Sequence, residues 1–490
     1  MRSKLIALAL ILALAGGMAA CRQEPEGTVK VLVIGGEPQL RDPASGPLSS
    51  SDSVLLSNVA QGLVRFDSGG NIVAGLAERW NVSDDGMSYI FRLAATAWPG
   101  GGKITAEQVA RVLKRQIAAR SRNPIKDTLG AVEDIVAMTD RVIEIRLAAP
   151  RPNLLPLLAQ PEMAIIRGGY GTGPFSLSPA GGPGGELRLL SEVMAGDDDI
   201  ARREEVLLSG ESAEPAVRAF AAGKADLVLG GTFAGLPFAR SIRLQRNSLR
   251  FDPASGLFGL VPASGGGLLD DRDVRRLLSQ AIDRDALVAA LNVPGLLARA
   301  TVLEPGLDGV PDPVQPAWYG TSLADRRPVL LAEAKRLFGN ENKPAIRVYL
   351  DQGPGADILF ARLAADWGPL GLTVERARTP NTADVTLIDA VAPSTSPAWF
   401  LRNFRCGAVP LCDEDVDQLL GAARTAPVPA QRYALLYDAA GRIDDAQLFI
   451  PLAAPIRWSL VASRIQGFAG NRYARHTLTD LEQKPGREDQ

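Results

Sequence analysis

The chain has 490 residues, 46% of them apolar and 22% charged, with a formal net charge of −2 at pH 7. That length and apolar content suit about two to four domains with real cores, and the near-neutral balance gives no electrostatic reason to expect nucleic acid. A single histidine excludes an H-E-x-x-H zinc helix and leaves little with which to hold a metal or haem iron.

In chain order, the N-terminus comes first. Arg2 and Lys4 precede an unbroken apolar run over residues 5–15, and Met18-Ala19-Ala20 leads into Cys21. This is the plan of a secretory signal, residues 1–20, ending in a lipoprotein cleavage box with Cys21 as the lipidated N-terminus. The alternatives are an ordinary signal cut at Ala20 or a membrane anchor, but the run is shorter than the ~20 residues a span requires. The expectation is a body held outside the cytoplasm, periplasmic or at the cell surface, and tethered to a membrane by lipid.

Residues 30–34 read as a buried strand ending at Gly35-Gly36. Residues 82–93 carry a hairpin signal, with Asp84-Asp85-Gly86 as the turn. Thr105 and Gln108 form a capping box, and Val109, Val112, Leu113 and Ile117 follow at helical spacing. Residues 142–147 make another strand. Residues 168–185, rich in Gly and Pro, predict loop around a short strand at 175–177. Asp197-Asp198-Asp199 reads as a solvated acidic turn rather than a calcium loop.

A helix over 215–223 leads to a strand at 227–229. Val274, Leu277, Leu278, Ala281 and Ile282 mark an amphipathic helix. Leu359, Leu363 and Trp367 mark another, ending near Gly371 before a strand at 372–375. The acidic group Asp413, Glu414, Asp415 and Asp417 opens a helix, where its dipole favours negative charge. A late helix carries Tyr433, Leu436, Tyr437 and Ala440, with a strand at 448–452 after it. Long alternation of helices and strands sets the class as α/β. Cys406 and Cys412, six apart, suit a disulfide in an exported protein; two reduced thiols are the alternative.

Catalytic signatures are missing. Nothing matches G-x-S-x-G or a G-K-[ST] phosphate loop, and His476 is the lone candidate base. Gly171-Thr172-Gly173-Pro174 lacks the continuation of a dinucleotide fingerprint. The expectation is a protein that is not an enzyme and carries no cofactor.

Four ordered segments resemble one family. They are residues 58–67 running through 75–80 to 83–86, the helix at 104–115, Gly171-Thr172-Gly173-Pro174-Phe175 with residues 221–226, and residues 273–284. The helix–Gly371–strand unit and Ile450-Pro451-Leu452 fit as well. Together they are similar to the extracytoplasmic solute-binding proteins of peptide-type ABC importers, family 5. The resemblance implies a two-lobed periplasmic-binding-protein type II architecture with an extra N-terminal subdomain and a hinge. Lobe I would comprise 28–45, 168–260 and 459–484, the extra subdomain 46–167, and lobe II 261–458.

By the same resemblance, a peptide or other small organic solute is enclosed between the lobes and delivered to ABC permease subunits. A monomer is expected. Strand-like edges that pair with the ligand backbone correspond to Pro47, Leu48 and Ser49 on one side and Asp389, Ala390 and Val391 on the other. The acid that grips a peptide amine falls near Pro393 here, leaving Asp389 as its substitute. Trp399 would stack on a ligand or sit in the core, and Arg402 and Arg405 would pair with a ligand carboxylate or lie in solvent. The alternative functional reading is a lipoprotein of this fold that acts as a sensor or interaction scaffold without transport. An exported hydrolase built on His476 ranks below both.

Overall fold

The computed structural model describes residues 27–195, 200–263, 265–339, 343–479 and 481–483. The expected signal segment, Cys21 and Asp197-Asp198-Asp199 lie outside the described residues.

The strand Thr28–Ile34 lies inside a seven-stranded mixed sheet. Its order is Leu249–Phe251, Arg457–Val461, Leu227–Thr232, Thr28–Ile34, Ile200–Glu211, Leu187–Ala195, Ser176–Leu177. Thr28–Ile34 runs parallel to both neighbours, with Val31 opposite Leu208 on one side and Leu227 on the other. Both of its faces are covered, which is why it reads as a continuous apolar run. Val29, Val31 and Val33 enter one core, and Leu32 and Ile34 pack against another.

The second sheet has the order Thr373–Arg376, Ala345–Tyr349, Val385–Val391, Gly256–Pro262, Ile450–Ala453. Gly256–Pro262 is buried along its whole length and pairs antiparallel with Val385–Val391, Gly256 opposite Val391. Helices Arg272–Ala281 and Pro354–Trp367 cover this sheet through Leu277, Leu278, Leu359 and Trp367. The Trp367 indole N–H donates to the Leu278 carbonyl at 3.0 Å, so the two helices are hydrogen-bonded as well as packed. Gly371, at φ 88°, ends the 3-10 turn Gly368–Leu370 that follows the second helix, in the left-handed conformation glycine favours.

A four-stranded antiparallel sheet, Ala77–Val82, Ser88–Leu93, Val142–Leu147 and Val132–Thr139, forms the extra subdomain with helix Ala106–Ile117 against it. It has its own core, including Phe91, Leu113, Ile143 and Leu147. Thr105 caps the helix as expected, accepting from the Gln108 amide at 3.4 Å. The Gln108 side chain does not reach back to complete a capping box. It accepts from the Trp98 indole at 2.9 Å, because that buried donor has greater need of a partner.

The polypeptide crosses between the first and second sheets in two short connections, residues 252–255 and 454–456. The expected lobe boundaries at 260/261 and 458/459 fall inside the strands Gly256–Pro262 and Arg457–Val461. Beside the first crossing, buried Glu304 accepts from the Gly256 amide at 3.4 Å and pairs with Arg299. Gly256 itself is obligatory: its φ is +151°, and a Cβ there would lie 2.1 Å from the Ala390 carbonyl oxygen.

Candidate functional site

Where the two sheets face each other, a cavity of about 260 Å³ opens between the lobes. One wall is the helix Ser50–Val59, which presents Ser50, Ser53, Val54 and Ser57. The sequence starts this helix cleanly. Ser49 accepts from the Asp52 amide at 3.0 Å and Asp52 accepts from the Ser49 amide at 3.4 Å, a complete capping box. Asp52 also accepts from the Gln39 amide at 2.7 Å and pairs with Arg41 at 3.2 Å, which ties the helix to the segment after the first strand.

A second wall is the end of Leu227–Thr232. Gly230 has φ +79°, and a Cβ there would meet the Ile34 carbonyl at 3.1 Å and Ser50 Cβ at 3.3 Å. Only glycine fits without pushing the helix away. Beyond the pairing of Val33 with Leu229, Gly231 and Thr232 run past the end of Thr28–Ile34 and pair only with Trp458 and Arg457 on the other side among the described residues, so the edge toward the cavity is open.

The opposing lobe contributes Asp389, Ala390 and Val391 at the end of Val385–Val391. This strand pairs with Ala345–Tyr349 only at Val385 and Thr386. The edge of residues 387–391 turned away from Gly256–Pro262 has no strand partner among the described residues. Two main-chain edges, one from each lobe, therefore face one cavity.

The charged groups of the wall are all engaged. Arg457, on the first sheet, bonds Asp389 Oδ1 at 2.7 Å and the Asp389 carbonyl at 3.1 Å, bridging the two sheets. Burial pushes the Asp389 carboxyl up from its ordinary pKa, and the Arg457 charge opposes that shift. Arg475 pairs with Glu162 at 2.9 Å and with Gln160 at 3.1 Å. His476 contacts Asp252 at 3.2 Å and packs on Phe468. Asn471 organises this last wall: its Oδ1 accepts from the Tyr473 and Arg475 amides and its Nδ2 donates to the Arg475 carbonyl at 2.7 Å.

Further contacts hold the subdomain against the second lobe. Gln160 donates to the Pro393 carbonyl at 2.9 Å, Asn153 donates to Thr395 at 2.9 Å, and Asp308 accepts from both Asn153 and Thr395. Arg405 meets Asp127 at 3.2 Å.

The residues expected from sequence are divided by this arrangement. Asp389, Ala390 and Val391 line the interlobe cavity. Pro47 and Leu48 stand in coil before the helix, with Leu48 packed toward Leu56 and Ala60, and Ser49 is committed to the helix cap. The wall on that side is made by the helix that follows them. Trp399 packs edge-on to Phe400 at 5.1 Å and joins a core of the second lobe. Arg402 lies at a different cavity, between subdomain and second lobe. Cys406 and Cys412 are disulfide-bonded. Arg457 and Arg475 escaped the sequence reading, since nothing local marks an arginine on a strand or in coil as a cleft residue.

Comparison with known proteins agrees with this architecture. The profile of the bacterial extracellular solute-binding proteins, family 5 (middle), matches residues 71–405. The chain is 25% identical to the probable di/tripeptide-binding protein 5 of Pseudomonas aeruginosa, over 89% of this chain and 91% of that one. Among solved structures it is similar to the murein tripeptide binding protein MppA of Escherichia coli, with TM-score 0.78, 16% identity, and 94% and 99% of the two chains covered. It is also similar to Haemophilus influenzae OppA in complex with the peptide RPPGFSPFR, with TM-score 0.77, 15% identity, and 94% and 99% covered.

Proposed function

The chain belongs to the bacterial extracellular solute-binding proteins of family 5, and from that premise we propose that it captures a peptide or other small organic solute between its lobes for an ABC importer. The observation that carries this reading is the pair of main-chain segments, residues 230–232 and 387–391, each with a strand partner on one side only among the described residues, facing one cavity across a two-crossing hinge. Such edges recognise an extended ligand by backbone hydrogen bonds, while the flanking side chains select among ligands. Binding energy then comes from many modest contacts made in the closed form, which shifts the population toward closure.

Asp389 is committed to Arg457, and Arg475 to Glu162, which supports ligands held by main chain and shape rather than by a free amine clamp. The export signal and Cys21 belong to the same proposal: a lipid-anchored monomer in the periplasm or at the cell surface, docking on permease subunits in its closed form. The lobe division of the expected domain scheme is carried with it, the crossings set at 252–255 and 454–456.

The test is a thermal-shift and calorimetric screen of the purified protein against di-, tri- and oligopeptides, free and amine-blocked. A ligand at 100 times its dissociation constant adds about 2.7 kcal/mol to stability. Hits among blocked peptides or non-peptide solutes support the reading above. Hits confined to free-amine peptides mean that another acid serves as the clamp. Silence across the panel from well-folded protein moves the assignment to the sensor or scaffold role.

A further inference from the structure

A larger cavity, about 480 Å³, lies between the extra subdomain and the second lobe. It shares no lining residue with the interlobe cavity. Its size falls in the range of sites for small organic ligands, roughly 300–1,000 Å³. What distinguishes it is charge. Five arginines line it: Arg151 from the subdomain, and Arg402, Arg405, Arg424 and Arg432 from the second lobe.

The carboxylates in its wall are Asp127 and Asp417. Asp127 is taken by Arg405 at 3.2 Å, and Asp417 accepts from the Cys406 amide at 3.2 Å. Arg151 donates only to main-chain carbonyls, those of Pro150 at 2.7 Å and Arg424 at 2.8 Å. Arg432 is buried and sits over the Tyr433 ring, 5.5 Å from its centroid. Arg402 has its Nη1 enclosed with no hydrogen-bond partner. Among the described residues, Arg151, Arg402, Arg424 and Arg432 have no carboxylate partner.

Burial and repulsion between these guanidinium groups push Arg151 and Arg402 down to about 10, so both stay charged at neutral pH. Enclosed like charges that outnumber their counter-ions, here five arginines against Asp127 and Asp417, are unfavourable, and a buried donor without an acceptor is rare. A planar carboxylate accepts from a guanidinium fork in the geometry that satisfies both. The remaining wall carries the apolar side chains Leu129, Leu154, Leu157, Leu420 and Leu436, with Thr128, Asn153, Ser396 and Thr425 among them. We infer that this cavity is a second ligand site, and that it takes an organic anion carrying a carboxylate on an apolar body.

The experiment is calorimetric titration of the purified protein with azelate, with dimethyl azelate as the uncharged control and phenyl phosphate as the competing anion. Azelate is expected to bind and the diester not to. Arg402→Gln should weaken azelate roughly ten- to a hundredfold, the loss of a charge-assisted contact. Arg424→Gln, at an exposed position, should weaken it several-fold without touching the fold, which keeps the test valid should Arg402→Gln destabilise the protein. Absence of azelate binding, or preference for phenyl phosphate, overturns the inference. So does azelate binding that survives Arg402→Gln and Arg424→Gln but is lost in Arg457→Gln; that result would put the anion in the interlobe cleft and leave the proposed function standing.

Discussion

The Asp389–Arg457 pair joins the two central sheets across the cleft, so its removal should act on closure more than on either lobe alone. Both side chains are largely enclosed, with 13% and 15% of their surface exposed. Breaking a buried pair from one side costs about 3–5 kcal/mol, because the remaining charge is left without a partner. The residual exposure lets water recover part of this, so for Arg457→Met the expected loss is about 2–3 kcal/mol. At about 1.4 kcal/mol per decade, the closing equilibrium then falls roughly 30- to 150-fold.

Asp389→Asn should cost less, about 1 kcal/mol. Arg457 still donates to the carbonyl of residue 389 at 3.1 Å and to that of Ile456 at 2.9 Å. The double variant should recover part of the Arg457→Met loss, since no uncompensated carboxylate remains. Small-angle scattering reads the open fraction of ligand-free protein, and urea titration reads stability. The reasoning is refuted if Arg457→Met leaves both the radius of gyration and the urea midpoint unchanged, or if the double variant is as impaired as the two single variants summed.

Three other outcomes are expected. Gly256→Ala puts a methyl group 2.1 Å from the Ala390 carbonyl at a strand that starts from the hinge, and should cost roughly 2–4 kcal/mol in urea unfolding; a loss below 0.5 kcal/mol would show that the strands part easily there. The Asp444 carboxyl is pushed up from 3.8 to about 7, mainly by burial and further by Asp445, against the Val302 amide that donates to it at 2.8 Å. The native state then keeps a proton that the unfolded chain releases between about pH 4 and 7, so stability falls as pH rises through that window, by up to about 4 kcal/mol. Asp444→Asn should flatten that slope in urea midpoints taken from pH 4.5 to 7.5, and an unchanged slope counts against the assignment. Replacing both Cys406 and Cys412 by Ser should lower stability by about 2.4 kcal/mol from loop entropy alone, since the closed loop is short; differential scanning calorimetry checks this, and a loss above 5 kcal/mol would mean that the bridge also holds packing.

Much of the local structure was legible because its signals are short-range. Thr28–Ile34 announces itself as a covered strand by its apolar run, and Arg272–Ala281 by its 3.6-residue period. Asp84-Asp85-Gly86 carries the turn between Ala77–Val82 and Ser88–Leu93. The long antiparallel pair Leu187–Ala195 and Ile200–Glu211 was not legible, because the charged run 202–205 breaks the alternation that marks a strand. The capping-box pattern at Ser49 and Asp52 was readable in principle, and it would have placed a helix directly after the expected edge at Pro47, Leu48 and Ser49.

The sequence by itself determined the α/β class, the elements with clear periodicity, and, by the resemblance of four ordered segments, the family. Those are properties of residues close in the chain, where side-chain period and capping chemistry act locally. The tertiary structure alone decided which charges are paired. Asp389 meets Arg457 across 68 positions and Gln160 reaches Pro393 across 233. It also decided that Arg151 joins Arg402 and Arg432 at one cavity while Asp389 faces another. Electrostatic energy depends on distance and enclosure in space, and neither is written in the spacing of residues along a chain.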